Sequence, residues 1–176
     1  MTTTLIVITI IIVSVIIFAI TMGNEMKIER SISINLPANQ IFDYVKISKN
    51  HDNFSTWNML DPEMKKEYHG TDGQVGFVYK WESLKNKNVG SGEQETIKLD
   101  QGKSIEYEIR FHKPMKNIAK AKFVFSQIAT GQTEVMWGFY SPSKFPMSLF
   151  KPIFQKLLAK DLEKGLKNLK TVLEKK

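Results

Sequence analysis

Apolar and polar positions change their period along this chain, and the changes mark its elements. From Leu5 to Met22 the run of Ile, Val, Leu and Phe is almost unbroken, interrupted only by Thr9, Ser14, Ala19 and Thr21. These eighteen residues would extend about 27 Å as a helix, close to the roughly 30 Å hydrocarbon core of a bilayer. No Lys or Arg precedes the run, and Thr21-Met22-Gly23-Asn24 is a poor small-residue cleavage site, so the segment reads as a retained single-pass anchor rather than a cleaved signal. Lys27 and Arg30 follow it closely, which directs the rest of the chain to the cytoplasmic side.

Beyond the anchor the period falls to two. Ile28, Ile32 and Ile34 alternate with Glu29, Ser31 and Ser33, the pattern of a half-buried strand, although Arg30 falls on the apolar side. Pro37 suits the start of a helix over Ile41, Phe42 and Val45. A polar bend at Asn50 to Asn53 and the Asp61-Pro62 turn signal lead into a run of strands. Lys66 to His69 predicts a short one, and Phe77, Tyr79 and Trp81 alternate with Val78 and Lys80. Gly90 to Leu99 continues the sheet. Ile105, Tyr107, Ile109 and Phe111 alternate with Glu106, Glu108 and Arg110, and Pro114 closes that strand. Ala121, Phe123 and Phe125 predict the next, with Thr130-Gly131 turning into Val135, Trp137 and Phe139. Strands so closely connected pair antiparallel, because a parallel crossover needs a dozen or more residues.

The last segment has a period of 3.6. Leu158, Leu162, Gly165, Leu166, Leu169, Val172 and Leu173 share one face, opposite Lys156, Lys160, Lys164 and Lys167. Pro152 marks its first turn, after a short helical piece at Met147 to Phe150. Gly165 sits in the apolar stripe, where it permits close approach to the sheet. The predicted organisation is an anchor over residues 1–24 and one α+β domain over residues 25–176.

Composition narrows the chemistry. The absence of Cys excludes disulfides, thiolate metal sites and a Cys nucleophile. The formal charge of +7 is concentrated at the end: Lys144 to Lys176 holds nine Lys against Asp161, Glu163 and Glu174. That stripe has no interleaved exposed aromatics, so nucleic acid is not a predicted partner. His51, His69 and His112 lack metal-ligand spacing and are assigned to the surface or to strand ends. Neither a metal nor a cofactor is predicted. Gly90-Ser-Gly92 lacks the helix that follows a phosphate-binding loop, and Ser91 has no nucleophile-elbow context. Glu93 and Glu95 share parity with Ile97 and Leu99 and would point inward with them, unless a bulge resets the register.

The order strand, helix, meander of six or seven strands and long C-terminal helix resembles the helix-grip fold of the START-like, or SRPBCC, superfamily. Within it the chain is similar to the polyketide cyclase/dehydrase and lipid transport group. The residues that carry this likeness are Ile32-Ser-Ile-Asn-Leu-Pro37 leading into Ile41-Phe42, Phe54 to Trp57, Asp61-Pro62, Gly76 to Trp81, Gly90 to Gly92, Thr133 to Trp137, and Asp161 to Leu166 with Leu169-Lys170. Many relatives carry Trp at the place of Phe54 and Pro at that of Thr56. The resemblance implies a cavity between a curved sheet and the terminal helix, holding a hydrophobic or amphipathic small molecule or lipid. Its lining would be Tyr79, Trp81, Glu93, Glu95, Tyr107, Ile109, Phe123, Phe125, Trp137 and Phe139 from the sheet, and Leu158, Leu162 and Leu166 from the helix. Two alternatives stand beside this reading. One is a cyclase- or dehydrase-like enzyme acting through the Glu93 and Glu95 carboxylates, and the other is an interaction module that uses the lysine face of the last helix.

Overall fold

The computed structural model describes residues 2–21, 23–143 and 146–175, and within the first helix the side chains of 3–10, 13, 14 and 17. That helix, α1, covers Thr2–Thr21. The anchor expected over Leu5 to Met22 therefore lies in part outside the described residues. Among the described residues no helix is long and apolar enough to cross a membrane.

The strands are β1 (Glu25–Ile34), β2 (Lys65–His69), β3 (Val78–Glu82), β4 (Ser91–Asp100), β5 (Ser104–Lys113), β6 (Asn117–Ala129) and β7 (Gln132–Pro142). They form one antiparallel sheet in the order β1-β7-β6-β5-β4-β3-β2. Sequence neighbours from β2 to β7 are joined by short turns, as the alternating pattern requires. Only β1 breaks the meander, pairing with β7 at the far edge. The chain crosses from the β1 edge to the β2 edge through α2 (Ala38–Val45), a 3-10 turn at Ser48–Asn53 and α3 (Thr56–Met59).

The last helix, α4 (Lys151–Glu174), runs alongside β1 in the same direction. Gln155 Nε2 donates to the Lys27 carbonyl at 3.5 Å, Arg30 Nε to Glu163 Oε1 at 2.7 Å and Lys170 Nζ to the Ser33 carbonyl at 2.8 Å, while Glu174 Oε1 accepts from the Asn35 amide at 2.7 Å. Arg30, which interrupts the apolar side of β1, thus has its partner on α4. The pair is half-exposed and contributes at most about 1 kcal/mol, so it orients the helix more than it holds it. Holding comes from burial of Ala159, Leu162, Leu166, Leu169 and Leu173, each worth up to about 1.5 to 3 kcal/mol for the larger side chains. Gly165 allows the approach, because a Cβ there would lie 2.6 Å from Trp137 Cζ3.

Three apolar clusters fill the space between sheet and helices. The largest joins α2, Phe54, β5, β6 and the end of α4 through Phe42, Tyr107, Phe123, Phe125, Leu166 and Leu169. A second gathers Met64, Phe77, Tyr79, Trp81 and Val89 under β3. A third packs Met26 and Ile28 against Ala159 and Leu162. Ile109 and Trp137 each touch two of the three.

One strand departs from its alternation. In β4 the register with β5 shifts between Thr96 and Lys98, so Ile97 is an extra residue with no partner on β5. This bulge reverses parity. Leu99 faces the core, but upstream of the bulge the inward positions are Gly92, Gln94 and Thr96, paired with Phe111, Ile109 and Tyr107. Glu93 and Glu95, expected to point inward, lie on the outer face instead.

Candidate functional site

The inner face of the sheet carries aromatic side chains on most rows but a small one at the centre. On the row where β5 offers Tyr107 and β7 offers Phe139, β6 offers only Ala121. Gly165, by contrast, lets α4 close directly on Trp137 and adds no space there. The three clusters consequently do not merge, and a cavity of about 120 Å³ stays open among them. Its walls are Tyr79, Trp81, Gln94 and Phe111 toward β3, Tyr107, Ala121 and Phe123 at the floor, and Trp137, Phe139, Leu158 and Leu162 toward α4, with α3 contributing Thr56, Trp57 and Asn58. A water molecule occupies about 30 Å³ of liquid, and an apolar cavity of about 150 Å³ takes up benzene, so the space matches one aromatic ring. A larger depression of about 500 Å³ runs between residues 60–63 and 85–88, but apart from Asp61 it is walled by loop residues largely open to solvent.

The aromatic walls are fixed by mutual contact. Trp137 stacks on Phe123 with ring centroids 4.7 Å apart, and Phe54 meets both edge-on. Trp81 meets Phe111 edge-on at 5.8 Å, and its indole N–H donates to the Val89 carbonyl at 3.2 Å. A side chain at Gly92 would strike the Trp81 ring at 2.7 Å, so the glycine lets that ring lie flat over β4. All three tryptophans of the chain, Trp57, Trp81 and Trp137, line the cavity.

Few polar groups reach it. His51, assigned to the surface from sequence, is buried in the 3-10 turn, and its Nε2 lies 2.8 Å from the carbonyl of Val45 at the end of α2. The Tyr107 hydroxyl donates to the same carbonyl at 3.2 Å. Burial lowers the affinity of His51 for a proton and raises the pKa of the Tyr107 and Tyr79 hydroxyls, so all three are neutral near pH 7. Among the described residues Tyr79 has the Met64 sulfur, at 3.9 Å, as its one weak hydrogen-bond partner. Burial also lifts the Asp161 carboxyl above the ordinary carboxylate range, partly countered by Lys164. Gln94 Nε2 is buried and has no hydrogen-bond partner among the described residues.

Nine of the thirteen lining residues expected from sequence surround the cavity: Tyr79, Trp81, Tyr107, Ile109, Phe123, Trp137, Phe139, Leu158 and Leu162. Phe125 and Leu166 lie deeper, in the filled part of the largest cluster. Glu93 and Glu95 are on the far side of the sheet, where Arg110 binds them at 2.6 and 2.8 Å and also binds Glu108. The Arg110 guanidinium holds Glu93 below the usual carboxylate range. These carboxylates cannot reach a molecule in the cavity. Sequence reasoning missed the other nine lining residues, His51, Ser55, Thr56, Trp57, Asn58, Gln94, Phe111, Ala121 and Asp161. The alanine was the readable signal, a small residue between aromatic neighbours.

Comparison with known proteins agrees with this architecture. A structure of norcoclaurine synthase from Thalictrum flavum, in complex with dopamine and hydroxybenzaldehyde, superimposes with a TM-score of 0.63 at 13% identity, covering 86% of this chain and 88% of that one. Protein MLL2253 from Mesorhizobium loti gives 0.61 at 13% identity, covering 85% and 97%. Ara h 8.0201 gives 0.53 at 14% identity, covering 86% and 99%. At these identities the likeness is one of fold. No curated protein matches the chain. The family model for polyketide cyclase / dehydrase and lipid transport matches residues 25–174, and the chain belongs to that family.

Proposed function

We propose that this protein binds a small hydrophobic or amphipathic molecule, one aromatic ring or a comparable apolar group in size, in the cavity between its sheet and α4, and that α1 tethers it to a membrane. The observation that carries the binding reading is the unfilled space among Trp81, Tyr107, Ala121, Phe123 and Trp137 in an otherwise packed interior. Ligand pockets are mostly apolar with a few polar groups, and Asp161 and Gln94 supply those here. At about 120 Å³ the space is below the usual 300 to 1,000 Å³ range, so a lipid would need α3 and α4 to move apart, whereas one ring would not. The single-ring compounds in the norcoclaurine synthase complex are consistent with that scale.

Anchoring draws on α1. The first 24 residues carry no charged side chain, and Leu5, Ile6, Val7, Ile8, Ile10, Val13 and Ile17 are all exposed. A helix apolar on every side belongs in lipid or in a protein interior, and no part of the domain covers these side chains. The run from Leu5 to Met22, part of which lies outside the described residues, would rise about 27 Å as a helix, close to the roughly 30 Å hydrocarbon core. Lys27 and Arg30 beyond its end favour a cytoplasmic domain.

Because every tryptophan lines the cavity, titration of the full chain in lipid vesicles with 4-hydroxybenzaldehyde and with a fatty acid, read by intrinsic emission and native mass spectrometry, tests the reading. Saturable quenching and a matching mass adduct are expected for the aromatic. No saturable change with either ligand, in protein free of any copurified adduct, would overturn it.

A further inference from the structure

The outward face of α4 is not uniform. Lys160, Lys164 and Lys167 occupy its later turns, but the residue before it and its first two turns expose Phe150, Ile153, Phe154 and Leu157, at spacings of three and four residues, so the basic C-terminal stretch does carry exposed aromatics, contrary to the expectation from sequence. Such a stripe on the solvent side has no core to face. The sheet register shows what stands beside it. Glu25 pairs with Pro142, Phe111 with Asn117 and Glu82 with Ser91, so the start of β1, the end of β7, the β5–β6 turn and the β3–β4 loop share one end of the domain. The exit of α1 and the start of α4 are tied together there: the Ser143 amide donates to the Asn24 carbonyl at 2.8 Å, and Gln155 reaches the Lys27 carbonyl.

At this same end Leu84, 85% exposed, protrudes from the β3–β4 loop and Met115, 55% exposed, from the β5–β6 turn. Residues 83–90, 113–116 and 146–157 each contain two Lys and no acidic residue. Lys85 and Lys113 pair with Glu63 and Glu82 from neighbouring segments, but exposed Leu, Met and Phe among an excess of Lys over acids is the composition of a surface that enters the headgroup layer of an anionic bilayer. Residues 22–24 reach no more than about 11 Å when extended, which keeps this end close to wherever α1 sits. Leu158, Phe111 and Phe139, which wall the cavity, lie toward the same end.

We infer that these three segments form a docking rim that inserts Leu84, Met115 and the first two turns of α4 into an anionic membrane surface, so that the cavity exchanges its ligand with the bilayer. The inference rests on the anchoring role proposed for α1. Since the chain has no Cys, single substitutions allow site-specific labelling. Ile153→Cys, Leu84→Cys, Ile10→Cys and Ile128→Cys, the last near the end of β6 at the opposite end of the domain, would each carry an NBD fluorophore on the full chain. The chains would be placed in nanodiscs of phosphatidylcholine and phosphatidylglycerol, with and without doxyl-labelled lipid.

Labels at positions 10, 153 and 84 are expected to shift to the blue and to be quenched several-fold more strongly than the label at 128. Replacing Lys87 and Lys116 together by Glu is expected to weaken quenching at 153. A quenched label at 10 with emission at 153 like that at 128 would overturn the docking rim and leave the anchor standing. A blue-shifted label at 153 that lipid does not quench would mean that protein, such as a second copy of the chain, covers the stripe, which also overturns it. An unquenched label at 10 would remove the anchor and the rim with it.

Discussion

Replacing Ala121 by Leu adds three carbon atoms to the floor of the space that β5, β7 and α4 leave open. Burying three such groups is worth about 2.4 kcal/mol at about 0.8 kcal/mol each. Filling the whole 120 Å³ would recover at most about 2.9 kcal/mol at about 24 cal/mol per Å³. Ordering the new side chain costs about 0.5 to 1 kcal/mol. The net expectation is a gain of about 1 to 2 kcal/mol in stability. Were Tyr107, Phe123 and Phe139 in fact packed solidly around Ala121, the same substitution would overpack the core and lose about 1 to 3 kcal/mol. The two outcomes differ in sign, which makes the test decisive. Urea titration of the full chain in lipid vesicles, followed by tryptophan emission, should raise the midpoint by about 0.5 to 1 M for an m-value near 2 kcal/mol/M. The variant should also lose the aromatic ligand, because the added side chain occupies its place. A lowered midpoint with unchanged ligand affinity would refute the reasoning.

Three further substitutions probe the same region. Gly165→Ala gains about 1 kcal/mol of helix propensity but drives a Cβ to 2.6 Å from Trp137, whose displacement costs about 1 to 3 kcal/mol; denaturation should show neutrality or a loss, and a gain of about 1 kcal/mol would contradict the close approach. His51 is held neutral by burial, so below about pH 6.5 the unfolded chain binds a proton that the folded chain takes up only at lower pH. Stability should therefore fall with decreasing pH across that window, by up to about 1.4 kcal/mol per pH unit, and His51→Gln should flatten the slope; an unchanged slope would mean that the ring is not buried. Glu93→Gln combined with Glu95→Gln should leave aromatic binding unaltered, since both carboxylates lie with Arg110 on the outer face, and a loss of binding would place them inside.

The elements that sequence reveals here are those whose period nothing interrupts. β5 alternates through all of Ile105 to Phe111, and α4 repeats its leucines from Leu158 to Leu173 at helical spacing. Gly165 was readable as a point of close approach because a small residue in an apolar helical stripe has few other uses. Arg30 was readable as an anomaly, though its partner Glu163, 133 positions away, was not. The bulge at Ile97 left no mark, since Ile97 and Leu99 continue the apparent alternation while the backbone moves Glu93 and Glu95 outward. His51 stood in a polar bend, and only the 3-10 turn tucked beneath α2 buries it. Whether an aromatic side chain lines a cavity or fills a core depends on its neighbours across the ladder. That is why Phe123 and Phe125, two residues apart on one face, differ in role: Phe123 stands beside the row of Ala121, whereas Phe125 pairs with Val135 and packs on Phe42. The exposed stripe from Phe150 to Leu157 was hidden for a related reason, as its residues continue the apolar composition of α4 on the opposite side.

The most direct measurement is a crystal of the protein pressurised with xenon, which enters apolar cavities and scatters anomalously. A xenon peak ringed by Trp81, Tyr107, Phe123 and Trp137, absent from crystals of Ala121→Leu, is the predicted result. Continuous side-chain density through that region, with no peak at any pressure the crystal tolerates, would contradict it.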